Sequence, residues 1–216
     1  MPRHNHSRLT SFDDLRSRLD RDTLPAQDTR SSGSAVAIAV GAGAVAYLAW
    51  MALRTPPRPA SVQPVGNFDI SRYMGRWYEV ARIDQRFEKG LVRTRAEYSL
   101  APNGSVQVVN RGFDPRRNRW EEARGKAQVV GSSDEAALKV SFFGPFYAGY
   151  NVVALDEHYR WAMVVGSSLD YFWILSRTPV LPTGVRQHLL SQAQQIGVNL
   201  DRILWVMQDG ANPTGS

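Results

Sequence analysis

The chain has 216 residues, a formal net charge of +6 and no cysteine. That length fits one domain with extra segments, and the missing cysteine excludes disulfides, thiolate metal sites, a thiol nucleophile and a lipid-modified N-terminal Cys. The positive excess is spread along the chain, without the clustered basic face that nucleic-acid binding demands.

Residues 1–33 mix arginines with Asp13, Asp14, Asp20, Asp22 and Asp28 and hold few large apolar groups. That composition belongs to a solvated, disordered segment. Ser34 to Leu53 then runs twenty residues without a charge, the length needed to cross a bilayer. Tyr47 and Trp50 sit toward its end, where amphipathic rings favour the interface. The long polar stretch in front favours an uncleaved transmembrane helix over 34–53, a cleaved signal peptide being the alternative. Residues 54–66 carry Pro56, Pro57, Pro59 and Pro64 and read as a stiff, extended linker. It leads into one domain over 67–208, followed by a tail over 209–216.

The domain opens on Gly75-Arg76-Trp77-Tyr78-Glu79 and continues as short runs of period-two alternation divided by turn residues. These predict strands over Trp77–Ile83, Thr94–Leu100, Val106–Phe113, Trp120–Val130, Leu138–Phe142, Tyr150–Leu155, Trp161–Val165 and Tyr171–Leu175. Eight antiparallel strands with short turns predict an all-β, up-and-down barrel with an interior able to hold one small ligand. From Pro182 to Ile196, Val185, Leu189, Leu190 and Ala193 recur at helical spacing, with Gly197 just past the end. This predicts a C-terminal α-helix packed on the outside of the barrel, and Ile203–Val206 reads as a last short strand. In a closed barrel the first and last strands are neighbours. The guanidinium of Arg177, in Trp173-Ile174-Leu175-Ser176-Arg177, could therefore stack on Trp77.

Three stretches resemble the lipocalin family. Asn67-Phe68-Asp69 through Gly75–Arg82 is similar to its first motif, Leu155-Asp156-Glu157-His158-Tyr159 to its second, and Trp173–Pro179 to its third. Asn110-Arg111-Gly112 and Lys139–Tyr147 resemble the bacterial branch related to apolipoprotein D in particular. The resemblance implies a barrel that binds, carries or stores a small hydrophobic or amphiphilic molecule, a fatty acid or lysophospholipid. It also implies that Gly75, Trp77, Asp156 and Arg177 are structural, gathered at the closed end. With the span at 34–53, the expected location is the bacterial inner membrane, the barrel facing the periplasm.

Counting from Trp77 then places the loops Asp84–Leu91 and Asp114–Arg119 at the open end. Alternation points Glu79, Ala81, Ala96, Tyr98, Val108, Asn110, Phe142, Tyr150, Val152, Phe172 and Ile174 inward, an apolar lining with a few polar tips. A buried Glu79 needs a donor, a neighbouring Tyr or Arg, or it takes a proton. Arg86, Lys89, Arg116, Arg117 and Arg119 map to the open rim, where a guanidinium fork suits a carboxylate or phosphate head group; solvated turns are the alternative. No base–nucleophile pair, phosphate-cradling glycine loop, metal-ligating cluster or cofactor motif stands out. The chain therefore reads as a binding protein and not an enzyme. A lipid- or epoxide-modifying enzyme on the same fold, or an envelope scaffold with a filled barrel, are the alternatives.

Overall fold

The computed structural model describes residues 54–208. The expected span at 34–53 lies outside them, as do the N-terminal segment and the C-terminal tail.

A four-residue helix α1 (Ile70–Tyr73), capped by the Asp69 side chain on Ser71 N–H, leads into the first strand. Eight strands follow: β1 (Gly75–Ile83), β2 (Val92–Leu100), β3 (Val106–Asp114), β4 (Arg119–Val129), β5 (Ala137–Phe143), β6 (Phe146–Leu155), β7 (Trp161–Val165) and β8 (Phe172–Ser176). Each pairs antiparallel with the next, and β1 pairs with both β8 and β2, which closes the barrel. Helix α2 (Thr183–Gln195) and a short β9 (Ile203–Trp205) complete the domain. The expected all-β, eight-stranded antiparallel barrel with a C-terminal helix is the fold observed.

Sequence and burial agree most simply in β4. Glu121, Ala123, Gly125, Ala127 and Val129 are shielded, while the residues between them are exposed. Small, inward-turned side chains on one face and charges on the other leave a single register that buries the apolar set. On the far side of the barrel, Leu189 and Ala193 of α2 pack on the outward side chains Met163 and Val165 of β7 and Phe172 and Ile174 of β8. Gly197, at φ +92°, ends the helix in the left-handed conformation that glycine adopts without strain.

Two irregularities set the shape of the open end. The β1–β8 register shifts between Glu79 and Ala81. Val80 and Ala81 consequently both pack in the outer cluster, and Arg82, opposite Trp173, returns to the interior. Such a bulge adds one residue to one strand and reverses inward and outward beyond it. In addition, β1 pairs with β2 only from Gly75 to Tyr78, and β9 takes its place along Ala81–Ile83. Gln208 fills the resulting fork, its amide donating to Glu79 O at 2.8 Å and Thr94 O at 3.0 Å.

The other end is sealed by Arg177. Its guanidinium carbon lies 3.8 Å from the centroid of the Trp77 ring. The same group donates to Arg76 O at 2.8 Å, Arg72 O at 2.9 Å and Tyr159 O at 3.2 Å. Trp77 is fully buried and donates its indole N–H to Tyr73 O. Asp156 completes this end by accepting from His158 N, Arg160 N and the Arg160 side chain; these bonds hold its carboxyl at about 2. Gly75, at φ +90°, lets the chain turn into β1 directly beneath Arg177.

Arg177→Ala should lower the unfolding free energy by about 2–3 kcal/mol, the sum expected for a stacked cation and its charged hydrogen bonds. Arg177→Lys should recover little of it, because an ammonium cannot reach three carbonyls in a plane. Urea denaturation checks both; equal stability of the three proteins would refute the assigned role.

Candidate functional site

The interior of the barrel divides into two levels. Toward the closed end it is filled with aromatic rings. Tyr73 packs on Trp77 with ring centroids 4.8 Å apart and on Tyr98 at 5.7 Å. The Tyr150 hydroxyl joins those of Tyr73 at 2.8 Å and Tyr98 at 3.1 Å. Burial raises all three hydroxyls, Tyr98 to about 12, so the trio stays protonated. Val108, Val152, Leu138 and Val164 pack in the same cluster.

Above this floor the wall formed by β2, β3 and β4 is built from small residues. Ala96, Asn110 and Ala123 stand opposite one another on the three strands, and cross-strand partners share a face. The next inward position of β4 is Gly125. A Cβ there would stand 2.7 Å from the Ser141 carbonyl oxygen and 2.8 Å from a carbon of the Phe142 ring, so glycine is what lets β5 and that ring approach so closely. The Asn110 side chain is half-buried, and its Oδ1 is shielded from solvent without a hydrogen-bond partner.

The β1 side of the same level holds a charged cluster around Arg82, whose side chain is completely buried. Its Nη1 donates to Glu79 Oε1 at 2.8 Å, its Nε to Asp84 Oδ1 at 2.9 Å, and its Nη2 to the carbonyls of Glu88 and Leu91 at 3.0 Å each. Thr94 donates to Glu79 Oε1, and the Trp173 indole N–H donates to Glu88 Oε1 at 3.2 Å. One guanidinium thus anchors the Asp84–Leu91 connection to the inner wall. Burial raises Glu79 despite the opposing pull of Arg82 and Thr94. Burial, and then the neighbouring charge of Glu79, raises Glu88 well above the ordinary glutamate value. Arg82 is shared by three carboxyl groups, so its charge does not fully offset burial for either glutamate.

Most of the expected inward residues stand in or beside the cluster around Trp77: Ala96, Tyr98, Val108, Phe142, Tyr150 and Val152. Glu79 joins the charged group beside them, with Arg82 as the donor it required. Phe172, Ile174 and Ala81 are corrected: all three lie in the outer cluster with helix α2. On β8 it is Trp173 and Leu175 that face inward. The α2 helix makes the outer face of β7 and β8 as apolar as the inner one, so alternation carries no sign of direction there. At Ala81 the cause is the bulge.

The rim residues separate into two groups. Arg119 is paired with Glu121 at 2.7 Å, and Arg117 lies 3.7 Å from Asp114 and 3.6 Å from Glu121. Arg86, Lys89 and Arg116 are exposed. The Arg116 guanidinium lies over Gly90, 3.3 Å from where a Cβ would stand, beside the connection that carries Arg86 and Lys89. A separate open cleft of about 400 Å³, lined by Thr55, Gly104, Gln128 and Lys139 among others, lies at the opposite end of the barrel and touches none of the inward polar groups.

Comparison with known proteins gives this arrangement a family. Residues 68–208 match the model of the lipocalin-like domain. The chain is 48% identical over 172 residues to the outer membrane lipoprotein Blc of Escherichia coli K12, covering 80% of this chain and 97% of that protein. It is 33% identical over 146 residues to mouse apolipoprotein D, covering 63% and 75%. The solved structure of insecticyanin from the tobacco hornworm superposes with a TM-score of 0.58 at 19% identity, covering 72% of this chain and 88% of that one, which speaks for the fold alone. The expected inner-membrane location is overturned, because relatives matched over nearly their whole length are named outer membrane lipoproteins. No helix among the described residues is long and apolar enough to cross a membrane. With the barrel, its sealed floor and its three motifs in place, the chain belongs to the lipocalin family.

Proposed function

We propose that the barrel binds and carries or stores an amphiphile with an acyl chain, a fatty acid or lysophospholipid, in the bacterial cell envelope. The observation that supports this reading is the inner wall of Ala96, Asn110 and Ala123 above a floor sealed by aromatic rings. Small side chains on one wall leave room for a chain that enters from the open end. Each methylene buried there contributes about 0.8 kcal/mol. The envelope setting is supported by the bacterial relatives, which are outer membrane lipoproteins. The protein works here by binding, without chemistry: the Arg82 guanidinium is committed to Glu79, Asp84 and two carbonyls.

In this reading the acyl chain lies inside and the head group stays at the mouth. Arg86, Lys89 and Arg116 are the cations placed to meet a carboxylate or phosphate, while Arg117 and Arg119 are held by Asp114 and Glu121. The lumen residues Glu79, Tyr98, Val108, Phe142, Tyr150 and Val152 would contact the chain or set its depth.

Native mass spectrometry of gently purified protein should recover a co-purified lipid, and a fluorescent fatty acid should bind and be displaced by oleate. Ala123→Trp, which fills the wall, should weaken that binding by at least about tenfold, as expected when several methylenes lose their place. No lipid, no uptake and no effect of Ala123→Trp would sink the proposal. The Arg86→Ala/Lys89→Ala/Arg116→Ala variant should lose preference for oleate over oleyl alcohol by about threefold or more at low salt, and the difference should shrink as salt screens the rim.

The buried acid cluster predicts a pH signature. Burial and the neighbouring charge of Glu79 hold the Glu88 carboxyl well above its ordinary value of 4.5, so its contribution to stability is fully present below that value. It is lost as pH rises through the raised folded value. Glu88→Gln keeps an acceptor for Trp173 and removes the titration. As pH rises above about 4.5 the melting temperature of the wild type should therefore fall relative to Glu88→Gln. Parallel profiles would show that Glu88 is not held neutral.

A further inference from the structure

The inner wall carries one polar group with nothing to bind. Three buried side-chain atoms lack a partner among the described residues: Asn110 Oδ1, Ser141 Oγ and Gln192 Oε1. Gln192 is on α2, outside the barrel. Ser141 pairs with the exposed Lys126 on the outward face of β5. Asn110 alone faces the lumen, between Ala96 and Ala123.

The carbonyl oxygen of this half-buried amide is shielded from water without a compensating hydrogen bond, which is costly unless something satisfies it. Its flanking residues offer no donor: both are alanine. The tyrosine hydroxyls below are bonded to one another, and Arg82 is committed to Glu79, Asp84 and two carbonyls. A valine or leucine would suit a wall that touched only methylenes. The group that meets Asn110 must also be uncharged. A carboxylate at this depth would find no free partner in Arg82, because that guanidinium is already committed to Glu79 and Asp84.

We infer that Asn110 is a specificity residue for an uncharged hydrogen-bonding group carried on the acyl chain itself, and that the preferred ligand is a hydroxylated acyl chain rather than a plain one. This rests on the reading that the lumen takes an acyl chain. The hydroxyl both donates to and accepts from an amide, so it satisfies either orientation of the Asn110 side chain. A site built to bond a hydroxyl discriminates against the analogue that lacks it, because the buried amide is then left unpaired.

The test measures displacement of a fluorescent fatty acid by stearate and by hydroxystearates bearing the hydroxyl at early, middle and late chain positions. In the wild type at least one hydroxystearate should bind about tenfold tighter than stearate, the scale set by an unpaired buried amide. In Asn110→Val the ratio should fall to within about twofold, as expected once no amide is left to satisfy. A wild type that favours none of the hydroxylated acids over stearate overturns the inference while leaving the lumen reading intact. So does a preference that survives Asn110→Val. If neither stearate nor any hydroxystearate displaces the probe, the lumen reading fails and the inference falls with it.

Discussion

The Arg177 guanidinium, 3.8 Å from the Trp77 ring centroid, ties together three pieces of chain that are far apart in sequence. It reaches the carbonyls of Arg72, Arg76 and Tyr159 from the end of β8, so the α1 entry, the first strand and the β6–β7 turn are fixed around one side chain. A barrel has no edge to fray once its first and last strands meet, and this contact lies where they meet. That end is closed and packed with Tyr73, Tyr98 and Tyr150, so the proposed ligand would enter from the opposite end, where the Asp84–Leu91 connection lies.

The open end is governed by a different balance. A single extra residue in β1 turns Arg82 inward, and that guanidinium then organises three carboxyl groups and the carbonyls of the neighbouring connection. A buried cation of this kind is retained only where its hydrogen bonds are nearly all made. Burial and the charge of Glu79 both push the Glu88 carboxyl toward its protonated form. The same fork in the sheet admits Gln208, which spans β1 and β2 through their carbonyls. Polar order on one side of the mouth thus faces a wall of small residues on the other.

Much of this was legible in the sequence, for reasons that differ by strand. In β4 the alternation of small and charged residues permits one register, and its inward face follows directly. The Trp77/Arg177 pairing was legible because barrel closure makes the first and last strands neighbours. β8 offered no such guide: Phe172, Trp173, Ile174 and Leu175 are all apolar because one face meets the lumen and the other meets α2, so its direction was misread. Arg82 was hidden by the bulge. Strict alternation sends it outward among many exposed arginines, and only the unmet need of Glu79 for a donor hinted that it turned in. The small wall around Asn110 depends on the pairing of three strands, which alternation within any one of them does not reveal.

The central claim is that an acyl chain lies along the β2–β4 inner wall, above the tyrosine floor. A fatty acid bearing a photoreactive diazirine near its terminal methyl tests this most directly. After irradiation and peptide mapping, labels should fall on inward residues of β2, β3 and β4 and on Phe142. Labelling confined to the outer cluster of Phe172, Ile174 and Leu189, or to the cleft beside Thr55 and Lys139, would contradict the account.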